Sequence, residues 1–444
     1  MSPSKKSIHE IISLFHPKDS LGVPLATGQP LALLQALSDK QDWEDLHITT
    51  GLLGFPFPIL THPKVRVTSG YYGPIERFLN DQGAQMEYLP ASFTGIETFA
   101  LKKPARVVAT TLSEPDKDGF CTFGTHGAAI YRPFCAASRD PSRIAIAEIN
   151  PNMPVIYGLD EYGDNKIHIT ELEHVFESNQ SQLELSSLGE ITAEEIKIGE
   201  NVLNLVEDGA TLQFGIGRIP DYVAEKLAQS SMGNFGIHSE LVSDGWLKMV
   251  EAGKISNTNK GVFPKQSIFT FAFGSKKLYD FLDERKGQNN RSAVCLPVSI
   301  VNDPHLIAKN KNMTSINSGL MIDFAGQVCS EAIGLKQYSG AGGQMSFVQG
   351  AYDAENGKTI LCIKSTATVN GKLVSNIVPT LPLGSLISTP RYLIQYIVTE
   401  YGIANLYGVS DEKRAELLIP LAHPQFREEL KKQYAEMKQI YYKN

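Results

Sequence analysis

Three segments in the second half of the chain hold residues whose types and spacing suit work on an anion or a carbonyl group. The first is Gln213-Phe-Gly-Ile-Gly-Arg-Ile-Pro220. Gly215 and Gly217 permit a tight turn and close backbone approach after a strand. Pro220 suits the first turn of a following helix, where no amide donor is needed. Free N–H groups at such a helix start, reinforced by the helix dipole, favour an anion or a carbonyl oxygen. The segment is no dinucleotide fingerprint, because Pro220 stands where G-x-G-x-x-G needs its last glycine. The chain has no G-x-x-x-x-G-K-[ST] loop either. A plain strand-to-helix turn is the alternative reading.

The second segment is Gly236-Ile-His-Ser-Glu-Leu-Val-Ser-Asp-Gly245, read as a strand ending in a polar turn before a helix over Trp246–Glu251. A carboxylate such as Glu240 at the C-terminal end of a strand in an α/β sheet sits where ligands bind. Otherwise it caps the helix or salts a surface loop. The third segment, Ser339-Gly-Ala-Gly-Gly-Gln-Met-Ser-Phe347, puts three glycines in four residues. Backbone amides of such a loop can converge on an oxyanion or a phosphate, although glycine clusters also serve hairpins and bulges. Asn302 and Asn317 complete the set, since an amide orients a carboxylate without neutralising it; a turn-forming asparagine is the alternative for each. The histidines, among them His126, His238, His305 and His423, show no metal-ligand spacing and no Ser–His–acid arrangement, and read as structural.

These segments need strands and helices to hold them. Short β-branched runs alternate with helix-period stretches, the pattern of an α/β fold. Strands are expected at Asp45–Thr49, Val65–Ser69, Arg106–Leu112 and Arg143–Glu148. The polar stretch Glu177–Ser187 reads as a linker, dividing the chain into domains 1–185 and 186–444. A helix capped by Thr192, with Glu195 three residues on, is expected over Thr192–Val206. Residues 20–37 resemble 209–227, matching Pro30 to Pro220, and residues 46–54 resemble 236–245, matching His47 to His238. Both matches keep an offset of about 190 residues, as a duplicated α/β domain would. Thr49 then stands opposite Glu240, so one half keeps the reactive group and the other serves as scaffold and substrate wall.

The 444 residues, 42% apolar and 20% charged, suffice for two or three domains with real cores. A net charge of −7 without a Lys/Arg stripe argues against nucleic-acid partners. The apolar run near the N-terminus is too short and broken for a signal peptide, and no stretch of the chain is long and apolar enough for a membrane span. The five scattered cysteines, Cys121, Cys135, Cys295, Cys329 and Cys362, read as reduced thiols of a cytoplasmic protein, not as a disulfide frame or zinc site.

Taken together, these segments resemble the acetyl-CoA hydrolase/transferase family, the class I CoA-transferases, which includes 4-hydroxybutyrate, butyrate and acetate CoA-transferases. The resemblance runs from about residue 20 to residue 430. It is strongest in QFGIGRIP, GIHSELVSDG, SINSGLMIDFAGQV, SGAGGQMSFVQGA, IVTEYGIANLYG and AHPQFREEL. It implies two similar, duplicated α/β domains with the active site between them. Glu240 would be the nucleophile and Asn302 its positioning partner. Gly215, Ile216, Gly217, Arg218 and Ile219 would line the coenzyme A site, with Asn317 nearby. Gly340, Ala341, Gly342, Gly343 and Gln344 would contact coenzyme A and supply oxyanion donors. Relatives commonly continue the loop as GGQ-x-D-F, whereas Ser346 stands here in place of the carboxylate, which bears on the acid partner.

The implied reaction is ping-pong transfer of coenzyme A from a short acyl-CoA to a carboxylate such as acetate, through a glutamyl-CoA thioester on Glu240. It calls for no metal, flavin or nicotinamide, and for a homodimer or higher homo-oligomer. Hydrolysis of an acyl-CoA by the same glutamate, and coenzyme A binding without catalysis, are the other readings.

Overall fold

A computed structural model of the chain describes residues 5–185 and 189–441. The first half is built on seven parallel strands: β1 (Lys18–Gly22), β2 (Asp45–Thr50), β3 (Val65–Ser69), β4 (Gln85–Tyr88), β5 (Val107–Leu112), β6 (Ile144–Ile149) and β7 (His174–Glu177). They lie in the order β4-β3-β2-β1-β5-β6-β7. Every residue of β5 (VVATTL) is buried, as a central parallel strand covered on both faces requires.

The second half carries a six-stranded sheet. Its members are β8 (Thr211–Phe214), β9 (Gly236–Ile237), β10 (Met313–Ser318), β11 (Lys358–Cys362), β12 (Tyr396–Thr399) and β13 (Gly402–Asn405). The order is β9-β8-β10-β11-β12-β13, parallel except for the last pair. In each sheet the chain moves outward from its first strand and returns on that strand's other side. The crevice at such a reversal, beyond the carboxyl ends of the strands, is where open α/β sheets bind ligands. In the second sheet the reversal falls between β8 and β10. Gly215 follows β8 there, and Asn317 lies near the end of β10.

The four expected strands are present, Val65–Ser69 with the expected bounds and the other three with ends shifted by one residue. The capped helix is present as α2 (Ala193–Leu203), after α1 (Leu31–Leu37) of the first half, and has its capping box. Thr192 N–H donates to Glu195, and Glu195 N–H donates to the Thr192 hydroxyl. It stops at Leu203, short of the expected Val206, because Leu205 N–H turns back to Val202 O in a tighter turn leading to Gly209. The stretch expected to be a linker is tied down as far as it is described. Ser178 N–H bonds Ile149 O, Leu185 N–H bonds Gly274 O, and the Tyr279 hydroxyl donates to Leu183 O. Its polar side chains take part as well, with the Ser178 hydroxyl donating to Glu148 and Glu184 accepting from Lys276 N–H. Ser186 and Ser187 lie outside the described residues.

Each sheet has its own apolar core. A further cluster joins the halves, with Leu25, Phe93 and Ile96 of the first packed on Leu241, Phe271 and Val298 of the second. No described helix is long and apolar enough to cross a membrane. All five cysteines are buried and unbonded. Among the described residues no cluster of His, Cys, Asp or Glu is placed to hold a metal ion.

Candidate active site

The segment around Glu240 departs from the expected strand and turn. β9 covers only Gly236–Ile237, and a second short strand, Leu241–Val242, pairs with Phe271–Ala272 in a separate ladder. The polar residues between them change partners one by one. His238 N–H continues the ladder to Leu212 O, Ser239 N–H crosses to Ile268 O, and Glu240 O accepts from Thr270 and Phe271. The chain thus switches neighbours at Glu240. Both of its backbone flanks are fixed while its side chain enters the crevice.

His238 is fully buried, and burial pushes its pKa down to about 3. Its neutral ring lies 2.8 Å from Val301 O through Nε2, which must donate, while Nδ1 faces the Asn310 amide at 3.2 Å. That bond holds the short helix Val298–Val301, whose C-cap is Asn302. The Asn302 amide donates to Glu240 Oε2 at 2.6 Å. The histidine read as structural is therefore the strut that sets the Asn302–Glu240 contact.

The glycine loop closes over the carboxylate. Gly343 is the N-cap of α5 (Gln344–Asp353), which follows α3 (Arg218–Gln229) and α4 (Asp244–Glu251) along the chain. A Cβ at Gly343 would lie 1.8 Å from Glu240 Oε2 and 2.2 Å from Asn302 Nδ2, so no side chain fits. Gly342 adopts φ +53°, a left-handed conformation that glycine takes without cost. The carboxylate thus faces the start of α5, where the first N–H groups lack intrahelical partners and the dipole favours negative charge. Even so, burial outweighs the Asn302 bond and raises the Glu240 pKa to about 7.

Three contacts from the first half hold this loop, and none had a motif to announce it. The Ser339 hydroxyl donates to Tyr71 Oη at 2.8 Å, Ala341 N–H donates to Tyr88 Oη at 3.2 Å, and Phe93 N–H donates to Gly342 O at 3.0 Å. The Arg77 guanidinium also stacks 4.4 Å from the Tyr338 ring. An aromatic cluster read along the first half would have been the available signal, but its partners lie some 250 residues away.

Glu240 opens on a cavity of about 280 Å³ lined by Gly215, Ile216, Asn317 and Gly340–Gln344, with Tyr71 from the first half. Gly217, Arg218 and Ile219 line an adjoining groove of about 850 Å³ that shares Ser318, Gly319, Leu320 and Tyr338 with it. The expected site residues therefore gather along one continuous path. Several have further duties. Asn317 does not reach Glu240 but forms a reciprocal amide pair with Gln213 at 3.0 and 3.1 Å. The Gln344 amide donates to Ser330 and Thr389. Arg218 forks onto Glu195 at 2.6 and 2.8 Å, joined by Lys364 at 2.8 Å, and the two cations draw the Glu195 pKa down to about 2. Ser346, expected to bear on the acid partner, sits in the first turn of α5 and lines neither cavity.

The chain is 39% identical over 417 residues to a 4-hydroxybutyrate coenzyme A transferase of Clostridium kluyveri, covering 92% of each protein. The chain belongs to the acetyl-CoA hydrolase/transferase family. The family's C-terminal domain matches residues 274–434. A butyryl-CoA:acetate CoA-transferase of Anaerostipes caccae is 33% identical over 445 residues, 98% of this chain and 96% of that one. The crystal structure of RipA from Yersinia pestis superposes with a TM-score of 0.87 at 31% identity, over 97% of both chains.

Proposed function

We propose that the protein transfers coenzyme A from a short-chain acyl-CoA to a free carboxylate such as acetate, through a glutamyl-CoA thioester on Glu240. One observation carries the reading: the Glu240 carboxyl, fixed by Asn302 at 2.6 Å, stands on the cavity that the two glycine segments form. Its pKa of about 7 keeps a large carboxylate fraction at neutral pH with more basicity than an ordinary glutamate, which favours nucleophilic attack.

Glu240 attacks the thioester carbonyl, and collapse of the adduct expels coenzyme A thiolate and leaves a mixed anhydride. The thiolate attacks the glutamyl carbonyl, forming the Glu240 thioester and releasing the first acid as its carboxylate. An incoming carboxylate attacks that thioester, and the expelled thiolate then takes the new acyl group, restoring Glu240. Each addition places an oxyanion near the start of α5, where one backbone donor is worth roughly 3–4 kcal/mol. The coenzyme A chain follows the groove past Gly217–Ile219, where Arg218 and Lys364 are the basic side chains, both paired with Glu195, and Glu194 and Glu400 line the wall as well. Two or more copies of the chain form the working assembly, which sedimentation checks directly.

Incubation with acyl-CoA followed by borohydride should reduce the thioester and mark the peptide 236–245. An unmarked peptide, or full exchange activity in Glu240→Ala, would sink the assignment. Thiol release in buffer matching the rate with acetate would make the protein a hydrolase.

A further inference from the structure

Beyond Glu240 the cavity has a second compartment, walled by Leu25, Leu52, Phe93, Ile96, Phe271 and Gly342. Phe93 of the first half meets Phe271 of the second edge to face, with centroids 5.9 Å apart, so the wall spans the junction of the halves. Among the described residues lining it, the only polar side chains are Glu240 and Tyr71, and Tyr71 Oη accepts from Ser339, which lines the main cavity and not this compartment. Leu25, Gly51, Phe93 and Ile96 separate this front compartment from a rear cavity running beneath the helix Phe93–Lys102. The cations of this region, Lys103 and Arg143, line the rear cavity alone.

The sizes are informative. The front compartment offers about 40 Å³ and the rear about 60 Å³. Roughly 10–15 Å³ of such space takes one water-sized group, so the front holds about three carbons beyond a carbonyl on Glu240. A terminal carboxylate or hydroxyl on that chain would be buried with no cation and no uncharged polar side chain but Tyr71 beside it, which costs binding.

We propose that this compartment receives the acyl tail and selects unsubstituted aliphatic monocarboxylic acyl groups of about four carbons, with Ile96 as the residue limiting length. The inference rests on the transfer reading and names the substrate class of the same site. Dicarboxylic and ω-hydroxylated acyl groups are disfavoured because the cations that would meet a second charge lie behind the barrier. Trimming Ile96 joins the two cavities and admits a longer chain.

The test compares kcat/KM for butyryl-, 4-hydroxybutyryl-, succinyl- and hexanoyl-CoA with acetate as acceptor, in the unaltered protein, Ile96→Ala and Ile96→Val. Butyryl-CoA should exceed 4-hydroxybutyryl-CoA by about 10²-fold and succinyl-CoA by on the order of 10³-fold. The hexanoyl-to-butyryl ratio should rise by about tenfold in Ile96→Ala and by less in Ile96→Val. Succinyl- or 4-hydroxybutyryl-CoA used as well as butyryl-CoA would overturn the assignment. So would an unchanged length ratio in both variants, each verified as folded by thermal melting. Either result with Glu240 still trapped by borohydride leaves the transfer reading standing, whereas no trapping with any acyl-CoA removes both.

Discussion

At Glu240 two effects oppose each other: burial raises the pKa to about 7, and the Asn302 amide lowers it. Since the carboxylate is the attacking form, kcat/KM for acyl-CoA should rise about tenfold per pH unit below 7 and level off above it. Removing the amide in Asn302→Ala leaves burial unopposed, so the midpoint of that profile should move upward. A hydrogen bond to a charged group is worth about 1.5–3 kcal/mol, so the rate at pH 8 should fall by roughly 10- to 100-fold. A midpoint that stays or moves down would show that Asn302 does not act through this bond. Gly343 is the other residue that tolerates nothing else. A Cβ placed 1.8 Å from Glu240 Oε2 must push the carboxylate aside, and Gly343→Ala should lower kcat by about 10²-fold. Steady-state kinetics beside a thermal melt would separate this displacement from a loss of folding.

Among the elements, the glycine loop depends on its tethers. Tyr88 Oη accepts from Ala341 N–H, and Tyr88→Phe would leave that amide without its partner. The expected outcome is a loss of about 1 kcal/mol in urea unfolding and a lowered kcat. Unchanged kcat would show that the loop holds its shape without the first half. Elements also mark where sequence reasoning was sound. Strands such as β3 and β5 were legible because β-branched runs have few other uses, and the capping box of α2 because Thr192 and Glu195 satisfy each other locally. Glu240, Asn302 and the two glycine segments were legible through their motifs. Tyr71, Tyr88 and Phe93 were not, since their hydrogen bonds reach across about 250 residues and leave no local period or spacing. The break between β9 and Leu241–Val242 was missed for a related reason. It arises from a change of neighbouring strand at Glu240, which only the tertiary pairing with Phe271 imposes.

Over the whole molecule, buried titratable groups set how stability follows pH. His126 and His238 have pKa values pushed down to about 3 by burial, while Glu76 and Glu240 are pushed up to about 7. Stability rises with pH wherever the unfolded chain binds more protons than the folded one. Between about pH 3 and 6.5 each histidine is protonated only when unfolded, so both add a rising slope. Between about 4.5 and 7 each glutamate is protonated only when folded, so both add a falling slope. The two pairs cancel from about pH 4.5 to 6.5, so together these four groups add no slope to the unfolding free energy there. Below that range the glutamates are protonated in both states and their compensation ends. The histidines then cost about 2.7 kcal/mol per pH unit of acidification. Glu195, held near pKa 2 by Arg218 and Lys364, adds to the loss as pH falls from about 4.5 toward 2. Glu240→Gln isolates one contribution. Its falling slope disappears, so the variant should gain about 1.4 kcal/mol per pH unit relative to the unaltered protein between pH 4.5 and 6.5. By pH 8 the variant should be the more stable by up to about 3 kcal/mol. Urea titrations at pH 4.5, 5.5, 6.5 and 8 measure this directly. Parallel curves for the two proteins would mean that the Glu240 carboxyl meets no net cost of burial, and the near-neutral midpoint expected for its chemistry would fall with it.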